Sequence, residues 1–83
     1  MDIKIGVVDD YFAKVGVIAL KLQEEISVGD TIKIKRHSGD LIQKVESMQV
    51  EHQSVTTAKR GDNVGIKISD KAHKGNEVYK VIE

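Results

Sequence analysis

The hydrophobic positions of this chain recur at every second residue. In "TIKIKR", Ile32 and Ile34 alternate with Lys33 and Lys35, and in "VGIKIS" Val64, Ile66 and Ile68 share one parity. A period of two sends alternate side chains to opposite faces of a strand, one toward a core and one toward water. "IKIGVVD" at 3–9 and "VYKVI" at 78–82 are further β-prone runs. "VGVIALKL" at 15–22 is apolar enough to be buried for most of its length. No segment keeps the i, i+3, i+4, i+7 spacing of an amphipathic helix. The pattern predicts an all-β domain with six strands near 3–9, 14–22, 31–37, 41–52, 63–69 and 77–82.

The punctuation agrees with the strands. Gly29-Asp30, Gly39-Asp40, Gly61-Asp62-Asn63 and Gly75-Asn76 each stand just before a β-patterned run. Glycine reaches φ > 0 without steric cost, and Asp or Asn can close a turn by bonding nearby backbone. Gly29, Gly61 and Gly75 are therefore expected in turns, at least one of them at positive φ. The 83 residues make a single domain over 1–83. Six short strands in so small a chain have little area for two covered sheets. The expected architecture is a small closed six-stranded Greek-key barrel, which removes exposed strand edges.

One predicted strand changes phase. In "LIQKVESMQVEH" the apolar Leu41 and Val45 sit on odd positions, whereas Met48 and Val50 sit on even ones. A regular strand would send the two pairs to opposite faces. A β-bulge near Glu46-Ser47 would bring both to the core side and bend the strand. The alternative is a chain that passes there from one surface to another.

Composition removes several functions. The chain has no Cys, so neither a disulfide framework nor a thiolate metal site holds it together. His37, His52 and His73 lie fifteen and twenty-one residues apart, with no local metal-ligand spacing. Asp9-Asp10 and Glu24-Glu25 are neighbours that a strand would point to opposite faces, which suits turns better than an acid–base pair. No nucleophile elbow is present, and nothing matches a phosphate-binding loop, so neither catalysis nor nucleotide binding is expected. The acidic N-terminus and the absence of an apolar run near ~20 residues predict a cytoplasmic protein with no membrane partner. In that compartment Arg60-Gly61-Asp62 is a turn and not a cell-attachment signal. Thirteen basic residues balance thirteen acids. Residues 1–30 carry three lysines against six acids, and residues 31–83 carry ten basic residues against seven acids, a mild polarity from −3 to +3.

Three segments together carry a family resemblance: "SVGDTIKI", "QKVESMQVEHQSVTTAKRGDNVGIKI" and "HKGNEVYKV". In that order they resemble the β-barrel domain that follows the GTPase domain in elongation factor Tu and its relatives. More closely, the chain is similar to small stand-alone translation elongation factor-like proteins made of this barrel alone. A similar module also occurs at the C-terminus of some collagenase-like peptidase-family proteins. The resemblance marks Gly29, Asp30, Gly61, Asp62, Asn63 and Gly75 as structural turn residues. It implies a non-catalytic binding module without cofactor, metal or GTP chemistry, since no GTPase domain is present.

Two partner classes follow. In translation factors this barrel touches transfer RNA and the small ribosomal subunit, so the resemblance implies ribosomal RNA, transfer RNA or the ribosome as partner. Lys33, Lys35, Arg36, Lys59 and Arg60 are then the candidate RNA-binding residues, with Lys44 and Lys74 as further basic positions. Few aromatics (Tyr11, Phe12 and Tyr79) are available for base stacking. The other class is a separately encoded protein partner, which balanced charge suits because phosphate binding draws on excess Lys and Arg.

Overall fold

The computed structural model describes residues 1–82, which form ten strands and no helix. In chain order these are β1 (Asp2–Phe12), β2 (Val17–Lys21), β3 (Ile26–Ser27), β4 (Thr31–Lys35), β5 (Leu41–Lys44), β6 (Met48–Val50), β7 (Gln53–Val55), β8 (Thr57–Ala58), β9 (Asn63–Lys67) and β10 (Glu77–Val81). Eight make one sheet in the order β5-β4-β10-β1-β2-β9-β6-β7, and β3 pairs with β8 in a separate two-stranded ribbon. The fold is all-β, as the alternation predicts.

The long strand β1 bends the sheet. Its first part pairs with β10 and its second with β2, and the register shifts between Lys4 and Gly6 and again between Val8 and Asp10. Each shift places an extra residue on β1, which increases the local bend. The extra residues also re-phase the strand, so that Ile5 and Val8, three positions apart, are both buried. The sheet curls into two halves that share β1: β5-β4-β10-β1 and β1-β2-β9-β6-β7.

The closed six-stranded barrel is not formed. The sheet is an open, curled half-barrel whose edge strands β5 and β7 do not pair with each other among the described residues. The reason lies in the phase break. Between β5 and β6 the chain leaves the ladder on β4 and joins a new one on β9, and Val45–Ser47 spans the gap. Val45 donates its N–H to Asp30 O (2.8 Å) and accepts from Gly29 N (2.9 Å), while Ser47 O accepts from Lys67 N at 3.4 Å. The residues therefore change strand partners; they do not bulge within one ladder. Both Val45 and Met48 still reach the core. Across the seam a side chain replaces a ladder. Gln43 Oε1 accepts from Ser69 N (2.7 Å) and Ser69 Oγ (3.1 Å), and its Nε2 donates to Lys67 O (3.1 Å).

Inward residues of both halves fill the curl. Ile5, Ile18, Ile32, Ile34, Ile66 and Val78 are fully buried, and no polar or charged residue is buried among those described. One row, Ile18–Ile66–Met48, crosses three adjacent strands. The first and last described residues meet where β1 pairs with β10: Met1 N donates to Ile82 O (2.9 Å) and Ile82 N donates to Met1 O (2.7 Å).

One turn recurs three times. In Ser27–Asp30, Lys59–Asp62 and His73–Asn76 the first carbonyl accepts from the fourth N–H, at 3.0, 3.0 and 3.1 Å. The fourth side chain accepts in return from the first N–H, at 2.8, 2.9 and 2.9 Å. The third residue is Gly29, Gly61 or Gly75, at φ of 98°, 94° and 96°. Nothing lies within 4 Å of where a Cβ on Gly61 would sit. Gly61→Ala should therefore cost the backbone strain alone, about 1 kcal/mol, read from a denaturant midpoint. Gly39 departs from this scheme, because it is the fourth residue of its turn and donates to Arg36 O.

The β6–β7 hairpin has no glycine where one would help. Val50 pairs with Gln53, leaving Glu51 and His52 as a two-residue loop at φ of 52° and 65°. Such a loop favours Asn-Gly, since both residues occupy the left-handed region. The double substitution Glu51→Asn/His52→Gly should stabilise the domain by about 1–2 kcal/mol. Unchanged thermal stability would show that the native turn is not strained.

Candidate interaction surfaces

Because apolar side chains fill the curl, any site must lie on its two outer faces or in its turns. On the first half, alternation turns Lys33 and Lys35 of β4 outward, in register with Tyr79 and Glu77 of β10. Lys4 of β1 is in register with Tyr79 from the other side. The candidate basic residues here have partners. Lys33 pairs with Asp2 and is only 19% exposed, and Lys4 Nζ lies 3.0 Å from a Glu77 carboxylate oxygen. Lys35 Nζ sits 5.0 Å above the centre of the Tyr79 ring, a cation–π distance. Arg36, 14% exposed, is held by Asp70 at 3.2 Å and donates to Lys71 O (2.8 Å) and Gly39 O (2.9 Å).

These contacts shift the acids in one direction. The hydrogen bond from Lys33 holds the Asp2 carboxyl below its ordinary value, and the same bond raises Lys33. The Lys71 N–H, and after it Arg36, lower Asp70; Lys4 lowers Glu77. A carboxyl with a depressed folded-state pKa contributes stability that is present above the ordinary range near 4 and is lost as pH falls through the depressed value. The urea midpoint should therefore stay level from about pH 7 to 5 and decline below about pH 4. A triple Asp2→Asn/Asp70→Asn/Glu77→Gln variant should flatten that decline. An unchanged acid profile in this variant would dismiss the three pairs as its cause.

Lys59 and Arg60 lie elsewhere, in the turn before β9. The turn is tied to the end of β2 by Gly61 N to Leu22 O (2.8 Å) and Leu22 N to Asp62 O (2.9 Å). Arg60 lines an open groove of about 640 Å³ together with Lys4, Lys21 and Glu24. The five candidate residues thus fall into two groups, Lys33–Lys35–Arg36 and Lys59–Arg60. Lys4 stands between them, and neither Lys4 nor Lys21 is legible as a site residue from strand pattern. An acid sits in or beside each group: Asp2, Glu77 and Asp70 in the first, Glu24 in the second.

The second half presents a different outer face. Phe12 and Val15 are 48% and 56% exposed there. They flank a groove of about 420 Å³ with Val17, Ala19, Gln49 and Gly65 along it and Glu51 and His52 at one end. A second hollow of about 320 Å³ shares Val15, Val17, Gln49 and Gly65 and continues to Lys67. The groove exists because Ala19 and Gly65 put almost no side chain on this face.

Little convergent chemistry is present. Asp9, Asp10, Glu24, Glu25 and all three histidines are exposed. Among the described residues no group of three or more His, Asp or Glu could hold a metal ion, and no helix is long and apolar enough to cross a membrane.

Comparison with known proteins supplies the context. No protein-family model matches the chain. It is 37% identical over 82 residues to an uncharacterized protease of Methanocaldococcus jannaschii, a match over 98% of this chain and 20% of the relative. It is 32% identical over 72 residues to a collagenase of Porphyromonas gingivalis, over 84% of this chain and 20% of the relative. The chain thus spans about a fifth of the length of the curated relatives it matches. Among solved structures, the C-terminal domain of a putative U32 peptidase from Geobacillus thermoleovorans aligns with a TM-score of 0.85 at 17% identity, covering 94% of this chain and 91% of that one. A bacterial selenocysteine-specific elongation factor aligns with a TM-score of 0.70 at 22% identity, over 95% of this chain and 14% of that one. At these identities the two structures share the fold. The sequence relatives carry protease and collagenase names, whereas the translation-factor likeness rests on the fold and on the motifs quoted above.

Proposed function

We propose that this domain is a non-catalytic module that docks on a polypeptide surface. The contrast between its two outer faces carries the reading. On the first half Lys4, Lys33 and Arg36 each have an acid partner, and the exposed Ile42 of β5 borders none of the grooves described, whereas the second half leaves Phe12 and Val15 exposed beside an apolar groove. Phosphate contacts draw on Lys and Arg free to displace counterions. An exposed apolar patch rimmed by polar groups marks a protein contact instead. A one-fifth share of larger relatives suits an accessory part that sits against another polypeptide. In this reading the module needs no cofactor and works in the cytoplasm.

A second reading, attachment to ribosomal or transfer RNA, draws support from one feature. The groove that joins Lys4, Lys21 and Arg60 lies on a fold shared with an elongation factor. It requires phosphates to out-compete Glu24 and Glu77 for those cations.

Capture from native lysate at low and high salt, with and without ribonuclease, separates the two. A docking module retains its partner at about 500 mM salt and after ribonuclease, because apolar contacts respond weakly to screening. RNA retained only at low salt, with a log–log slope of about −2 to −4, would favour the RNA reading. Loss of that retention in Lys21→Glu/Arg60→Glu would place it in the basic groove.

A further inference from the structure

We infer that residues 69–74 form a strap over the open seam, which swings away on an otherwise intact sheet and is held shut by the side chains of Gln43 and Arg36. The strap carries the chain from β9 in the second half to β10 in the first. Backbone bonds anchor it at its two ends. Ile68 N donates to Gly16 O before it; after it Gly75 N donates to Val8 O, and Val8 N donates to Asn76 O, each at 2.8 Å. Between these anchors, among the described residues, 69–74 makes no backbone–backbone bond to any strand.

Two side chains of the β4–β5 hairpin hold it instead. Gln43 Oε1 accepts from both Ser69 N and Ser69 Oγ. Arg36 pairs with Asp70 and donates to Lys71 O. The strap's other bonds are local, with Asp70 Oδ1 accepting from Lys71 N and Asn76 Oδ1 from His73 N. Burial is equally sparse: within 69–74 Ala72 alone is buried, and it gives the core one methyl. Segments with few buried apolar contacts and solvent-exposed hydrogen bonds open far below the free energy of global unfolding. Opening uncovers the seam edge of β5 and takes from Arg36 two of its three acceptors, leaving Gly39 O. The strap is therefore a built-in cover on one cation of the first half.

The chain has no cysteine, so a single introduced thiol reports the opening. Ala72→Cys should react with dithiobis(nitrobenzoic acid) about a hundredfold faster than Val64→Cys, a buried position on β9. The rate at 72 should hardly change up to about 1 M urea, whereas the rate at 64 should climb with the slope of global unfolding. Gln43→Ala or Arg36→Gln, made in the Ala72→Cys chain, should speed labelling at 72 about fivefold or more, the effect of one lost hydrogen bond. Tryptic cleavage after Lys71 in the unaltered chain should show the same weak urea dependence, free of any strain from the added sulfur. Equal rates and urea slopes at 72 and 64 would show that the strap leaves only when the domain unfolds, and would overturn the inference. Unchanged labelling at 72 in both Gln43→Ala and Arg36→Gln would overturn it as well, since neither side chain would be holding the strap.

Discussion

Truncating Ile66 to alanine should remove about 3–4 kcal/mol of stability, the upper part of the range for buried isoleucines. Ile66 is fully buried and is paired with Ile18 on one side and Met48 on the other. Its side chain joins β2, β9 and β6, and β6 is only three residues long. None of these neighbours can close the void without shifting its own ladder, so most of the cavity should persist. For a domain of this size that loss is roughly half the typical total of ~0.05–0.15 kcal/mol per residue. A fall in melting temperature of about 15 °C or more should accompany it. A fall below about 5 °C would mean that the three strands are not packed around this residue.

Gly6→Ala should cost about 2–3 kcal/mol by the opposite mechanism, overpacking. Gly6 lies on β1 between the two register shifts, and a Cβ there would sit 2.8 Å from Leu20 Cδ1 and 2.8 Å from Lys21 O. Leu20 is itself buried and cannot swing away, and the carbonyl belongs to the backbone of the neighbouring strand. Relief would have to come from separating β1 from β2, the contact at the bend of the sheet. Thermal unfolding followed by circular dichroism measures the effect, and an alanine tolerated within 0.5 kcal/mol or so would dismiss the close approach.

The parts of this fold legible in the sequence are those governed by near neighbours. Ile32 and Ile34 against Lys33 and Lys35 state which way β4 faces, and the three Gly turns state where the chain reverses. The destination of each strand is not local. The phase break at Glu46-Ser47 was visible, but whether the chain bulges or changes partners depends on β4 and β9, which flank it in space only. A second phase change, Ile3 and Ile5 against Val8, signals the bend in β1. It is easily missed because Gly6 intervenes and the strand runs on to Phe12. The two-residue strands β3 and β8 are too short to show any period.

The candidate site divides along the same line. That Lys33 and Lys35 point outward follows from alternation; that Asp2 and Asp70 occupy Lys33 and Arg36 does not, because each acid comes from a remote part of the chain. The apolar groove left a clue in "VGVIALKL". Val17 and Ala19 are apolar at the parity opposite to the buried Ile18 and Leu20, so both faces of β2 avoid polar groups. Taken as burial, that run hides a surface feature.

The hydrogen bonds between Met1 and Ile82 have a mechanical consequence. Both ends of the described chain lie at the same end of the antiparallel β1–β10 pair, one strand spacing or about 4.8 Å apart. Tension applied through them pulls along the hydrogen bonds, which run perpendicular to the strands, and so opens the pair one rung at a time. A unit pulled at both points peels apart under small force. Pulled instead between Met1 and a residue at the far end of β10, the same pair is loaded in shear, with its hydrogen bonds sharing the force.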